Sequence, residues 1–130
     1  IAGRFCLRKD LQTEAKRHFI HWYSNKAQIY LNEKVQALAA RMGVEPAGVK
    51  IQDLGYRWGS CGRGDRLYFN WKTILLPQEI VEYVVVHELT HLHEPHHTSQ
   101  FWKRVERVMP DYERRKSWLA KNGIEVEGIV

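Results

Sequence analysis

A chain of 130 residues that is 44% apolar and 12% aromatic can bury one ordinary core and is too apolar to be disordered. Its formal net charge of +5 permits nucleic acid or acidic partners without demanding them, because the basic residues are spread along the chain and form no single block. No apolar run approaches the roughly 20 residues of a membrane span, so no membrane association is expected.

No signal-like segment opens the chain. The first residue is Ile, not Met, which reads as a piece of a longer protein. Two cysteines far apart, Cys6 and Cys61, suit reduced thiols in a cytoplasmic protein better than a secreted disulfide framework.

In chain order, residues 10–43 predict a long helical region. Phe19, Ile20, Tyr23, Ala27, Tyr30, Leu31, Val35, Leu38, Ala39 and Met42 recur at helical spacing. Gly43 supplies the stop, and a break near Asn32 is an alternative to one continuous helix. Residues 49–71 then read as a β-hairpin. "VKIQDLGYRW" and "RLYFNW" alternate in polarity and flank the turn-like "GSCGRGD". Two strands alone are marginal, so they must lie on helices or pair with residues outside this sequence. Residues 77–94 predict a helix opened by Pro77 and stopped before Pro95. The β-branched run Val84–Val86 argues for a strand there, and burial must override it. Residues 98–123 predict two helices, the first capped by Thr98 and the second closed by Gly123. The expected fold class is α+β: mainly helical, with a small antiparallel sheet beside the helix 77–94. No internal repeat and no domain boundary appear.

The chemistry concentrates in "VVVHELTHLHEPHH", Val84 to His97. His87 and His91 stand four apart, so both imidazoles leave one face of a helix a turn apart and can share one Zn²⁺. Glu88 falls beside that pair, where a carboxylate takes a proton from metal-bound water. The HExxH pattern fixes few positions, but here it ends an apolar helical run that would set it in a low-dielectric wall. A catalytic zinc takes three protein ligands and keeps one open position. Glu94 is one more turn along and would not close a tetrahedron on a straight helix. His93 points elsewhere. Past Pro95 the chain can fold back and offer His96 or His97, with Glu106 and Glu113 farther off. The spacing of His97 is that of the metzincin pattern, although Glu94 stands where that pattern has Gly. Spacing therefore favours His97.

Taken jointly, "RWGSCGRGDRLYFNW", "LPQEIVEYVVVHELTHLHEPHHTSQFW" and "VERVMPDYERRKSWL" resemble the YgjP-like zinc metallopeptidases, neighbours of the WLM and SprT-like groups. The likeness runs from about Phe19 to Gly123. It implies a zincin-like fold, His87, His91 and His97 as zinc ligands, and Glu88 as catalytic base acting on a peptide substrate. This chain reads His96-His97-Thr98 where the family commonly has Asn-His-Ser.

If "RLYFNW" is the sheet edge beside the zinc, a peptide can add to it as a further strand. Arg57, Trp58 or Tyr68 then steadies the substrate, unless Trp58 is core and Gly59-Ser60 a plain turn. Cys61 is a weaker candidate, as a latent fourth ligand or a nucleophile. Phe101 and Trp102 read as packing that supports His97. Arg104, Arg107, Arg114, Arg115 and Lys116 read as a solvated face. Two rival readings remain at this stage. One is a DNA-associated, SprT-like protease or a nucleic-acid-binding module with a structural zinc. The other is a metal-free helical interaction domain.

Overall fold

The computed structural model describes the backbone of residues 2–123 and the side chains of residues 11–123. Its elements in order are α1 (Ala2–Met42), β1 (Gly48–Gln52), β2 (Gly59–Cys61), β3 (Arg66–Asn70), α2 (Gln78–Thr90), α3 (Ser99–Val108) and α4 (Tyr112–Asn122). Short 3-10 turns at Arg63–Asp65 and Trp71–Leu75 flank β3.

The helix α1 runs unbroken past Asn32 and begins at Ala2, earlier than the predicted Asp10. Gly43, at φ +70°, ends it. The amide of Val44 reaches the Ala39 carbonyl and that of Gly43 reaches the Ala40 carbonyl, the paired bonds of a Schellman stop. Among the described side chains of α1, those from 11 to 42, the buried ones are Ala27, Leu31, Val35, Leu38 and Ala39, all in its C-terminal half. Farther back, Phe19 and Trp22 are exposed beside Tyr23.

The sheet departs from the predicted antiparallel hairpin. It is mixed, has three strands, and is ordered β1-β3-β2. The predicted pair is parallel, Val49 opposite Leu67 and Ile51 opposite Phe69. The antiparallel partner of β3 is β2, with Gly59 opposite Phe69 and Cys61 opposite Leu67. The "GSC" stretch expected to be a turn is thus a strand, and β3 lies at the centre, not at the edge. Alternation identified the buried faces of β1 and β3 but carries no information on strand direction. A six-residue return from β1 to β2, 53–58, lets β2 enter beside β3 on the far side from β1. That return is held by a buried polar clamp. Asn70 Nδ2 donates to the carbonyls of Gly55 and Arg57 at 3.1 Å each. Thr73 Oγ1 donates to the Trp58 carbonyl at 2.8 Å.

The central element is α2. From Ile80 to Thr90 every residue except Glu82 is buried. α1, α3, α4 and β2 all pack on it. A helix buried all round is apolar all round, which explains the valine run. Full burial of each of Val84, Val85 and Val86 is worth about 1.5 kcal/mol or more. The helix-propensity deficit of a valine is only a few tenths of that. Burial therefore decides the conformation.

The helix starts at Gln78, with Pro77 as the flanking cap residue, and ends at Thr90, short of the predicted Glu94. Beyond it the chain tightens, the amides of Leu92 and His93 bonding the carbonyls of Leu89 and Thr90 three residues back. Pro95 disfavours the helical region at Glu94, so the last turn cannot continue. Two separate helices occupy the predicted 98–123 stretch. Thr98 caps α3 by accepting from the Phe101 amide at 3.4 Å. Arg114 grips Glu79 with two hydrogen bonds of 3.1 and 2.9 Å, fastening α4 to the start of α2.

Candidate metal centre

His87 leaves the last turns of α2, fully buried, and His91 sits at the helix end, half-buried. The turn through Pro95 brings His97 back over them. Nε2 of His97 lies 3.1 Å from Nε2 of His87 and 3.1 Å from Nε2 of His91. All three donor atoms fall within 4.8 Å of one another, the only such group of histidine, cysteine and carboxylate ligand atoms among the described residues. Glu94, His96 and Cys61 are outside it. Two neighbours hold the rings in register. Nδ1 of His91 is 3.0 Å from the Glu94 carbonyl, and Nδ1 of His87 is 3.1 Å from Glu88 Oε2.

These contacts put the ring protons of His87 and His91 on Nδ1, so each Nε2 carries a lone pair. Both lone pairs point at one atom, His97 Nε2, which carries at most one proton and satisfies at most one of them. A cation shared by all three nitrogens resolves that conflict. Ligands to one tetrahedral ion at about 2.0–2.1 Å lie about 3.3 Å apart, close to the spacing found here. Burial holds the His91 and His97 imidazoles below their ordinary pKa, and the neighbouring histidines add to the depression. Neutral rings at neutral pH are the form that ligates a metal. The residues present therefore fit a metal ion.

Aromatic packing fixes this geometry. Phe101 is fully buried, with ring centroids 4.6 Å from His91 and 4.9 Å from His97. Trp102 stacks on His97 at 5.9 Å and on Tyr112 at 5.4 Å. Both residues support the histidines, as the sequence suggested.

Glu88 is 2% exposed, and one neighbour that the sequence did not flag makes room for it. A Cβ on Gly59 would stand 2.9 Å from Glu88 Cγ and 3.2 Å from Oε2. Strand β2 can lie against the carboxylate only because position 59 has no side chain. A cleft of about 350 Å³ opens there, lined by Arg57, Gly59, Ser60, Cys61, Glu88 and His91 among others. Arg57 is exposed at this cleft. Trp58 faces the core, and Tyr68 is half-buried with its ring under Gly62. Burial, followed by the charges of Glu88 and Asp65, pushes the Cys61 thiol up to about 11, which is unfavourable for a thiolate nucleophile or ligand.

A buried helix offering two imidazoles, a returning third and an adjacent carboxylate belongs to the class of metal-dependent hydrolases. Within that class the chain belongs to the YgjP-like metallopeptidase domain family, whose sequence profile matches residues 4–122. Among solved structures, the chain is similar to the metallopeptidase zymogen of Pyrococcus abyssi abylysin, with a TM-score of 0.64. That likeness covers 73% of this chain and 97% of the other at 20% identity, and it speaks for the fold. No curated protein matches the chain. As a metallopeptidase it acts on peptide or protein substrates. Among the described residues, no helix is long and apolar enough to cross a membrane.

Proposed function

We infer that the protein is a zinc-dependent peptidase in which His87, His91 and His97 hold Zn²⁺ and Glu88 is the general base. The observation that carries this reading is the convergence of three Nε2 atoms beside a buried carboxylate on the cleft wall. Three imidazole nitrogen donors with an open side suit catalytic zinc, and hydrolysis needs no redox metal. Bound there, the ion supplies Lewis acidity toward water and the scissile carbonyl. Glu88 takes the proton of the attacking water and passes it to the leaving amine. Its Oε2 is engaged by His87 Nδ1, which leaves Oε1 for that proton. The substrate extends along β2, whose outer rim is an unpaired sheet edge among the described residues, and Arg57 steadies it at the cleft mouth. A structural zinc is disfavoured, because it takes four protein ligands and Cys61 does not join the three histidines.

Metal analysis of the purified protein is expected to give about one zinc per chain. Hydrolysis of an unstructured polypeptide should stop with a zinc chelator and return when zinc is restored. A protein that carries no transition metal and accepts none when offered rules this reading out.

Gly59→Ala is a sharper probe of the wall beside the base. The added methyl forces Glu88 aside, and displacement of a catalytic group by about 1 Å costs up to about 100-fold. The expected result is a fall in kcat/KM of about 10- to 100-fold with zinc content unchanged. Unaltered activity would show that the carboxylate does not need its present position.

A further inference from the structure

On the other side of the turn that follows α2 lies a second cleft of about 280 Å³, which shares no lining residue with the first. We propose that it binds a phosphate group through Arg41, Arg104 and Arg107. Arg41 comes from the C-terminal end of α1, and Arg104 and Arg107 lie one turn apart on α3. Thr90 and His93 add polar lining, and Met42, Val44 and Val108 add apolar lining. No carboxylate lines the cleft.

Three basic residues outside the cleft are paired with carboxylates: Arg114 with Glu79 and Asp111, Arg115 with Asp111 and Glu82, Lys34 with Glu82. Lys116 lies over the Trp102 ring at 4.1 Å. Of the three cleft arginines only Arg104 has an ion pair among the described residues, through Nε to Glu94 at 3.1 Å. Its terminal nitrogens, and the whole guanidinium groups of Arg41 and Arg107, remain for a ligand. The stretch of α3 that reads in sequence as a solvated basic face therefore supplies two of the three arginines that line this cleft, one of them, Arg107, without an ion pair among the described residues.

Three like charges around one concavity repel one another, and an anion between them removes that repulsion. Guanidinium groups match phosphate oxygens in pairs, and apolar lining strengthens the field within the cleft. The volume falls just below the roughly 300 Å³ at which ligand pockets for larger organic molecules begin. It suits a small, multiply charged group. A phosphate dianion gains more from three cations than a carboxylate does. The site does not depend on the charge of His93, nor on the metal centre.

The test is binding of inorganic phosphate to the zinc-loaded protein, read by thermal unfolding and calorimetry against sodium chloride of equal ionic strength. Phosphate is expected to raise the melting temperature saturably. Arg41→Ala with Arg107→Ala should weaken binding at least about tenfold while leaving peptidase activity and the phosphate-free melting temperature unchanged. Arg66→Ala, which removes an exposed charge elsewhere, should retain binding. No rise beyond the chloride control overturns the proposal. So does a rise that persists in the double variant, which would put phosphate on the metal. A short single-stranded oligonucleotide has one charge per phosphorus and should bind more weakly than phosphate at matched salt. Tighter binding, lost in the double variant, would replace a free phosphate group by a nucleic-acid backbone as the ligand and overturn the assignment made here.

Discussion

Glu88→Gln is expected to fold, to keep its metal and to lose about two to four decades of kcat/KM. The side chains have nearly the same shape, so contact with Gly59 is preserved in a site where Glu88 is 2% exposed. The amide oxygen can still accept from His87 Nδ1, which keeps the lone pair on Nε2 and with it the ligand set. What the amide cannot do is take a proton from water. The predicted loss corresponds to roughly 2.7–5.4 kcal/mol of transition-state stabilisation at about 1.36 kcal/mol per decade. Measuring metal content beside steady-state kinetics separates two roles for the carboxylate. Full zinc with activity near zero marks the base. Loss of zinc along with activity would instead make Glu88 a group that orients His87. Cleavage at the wild-type rate would remove it from the mechanism altogether.

The parts of this site that were legible in sequence are those set by local geometry. Two histidines four apart on a helix face the same way in any protein, and the apolar run before them marks a helix that goes inside. Pro95 announced that the helix would stop and the chain turn back, and His97 was within reach of the returning segment. What sequence could not supply depends on partners distant along the chain. Alternation in residues 48–52 and 66–70 showed which side chains go inward, but a strand reads the same whether its neighbour runs parallel or antiparallel. Gly59-Ser60-Cys61 has the composition of a turn, and only pairing with β3 makes it a strand. The need for glycine at 59 appears only when Glu88, far away in sequence, is set against it. Asn70 and Thr73 are polar residues, yet they are 1% and 0% exposed because their hydrogen bonds are satisfied by the 55–58 return. The basic residues of α3 and α4 look alike in sequence. Carboxylates of α2 take up those of α4, while α3 points two of its arginines into a cleft.

His97→Ala and His96→Ala should part company completely. The two residues are adjacent and both are exposed, and spacing in the sequence favoured His97 without removing His96. Only His97 directs Nε2 to within 3.1 Å of both other imidazoles. Changing a residue that merely supports a ligand costs about 10- to 100-fold in metal affinity, so deleting a ligand should cost at least about 100-fold. Metal binding is also folding free energy, because the unfolded chain has no preformed site. A metal present at about 100 times its dissociation constant adds about 2.7 kcal/mol. For a domain of this size that raises the melting temperature by on the order of 10 °C. Wild type and His96→Ala are therefore expected to melt about 10 °C lower after chelation. His97→Ala should begin near the chelated value and respond little to chelator, with a further small loss from packing removed against Phe101 and Trp102. Were the pattern reversed, with His96→Ala losing the metal and His97→Ala keeping it, the turn through Pro95 would deliver the other imidazole. The geometry drawn from the three Nε2 atoms would then be wrong.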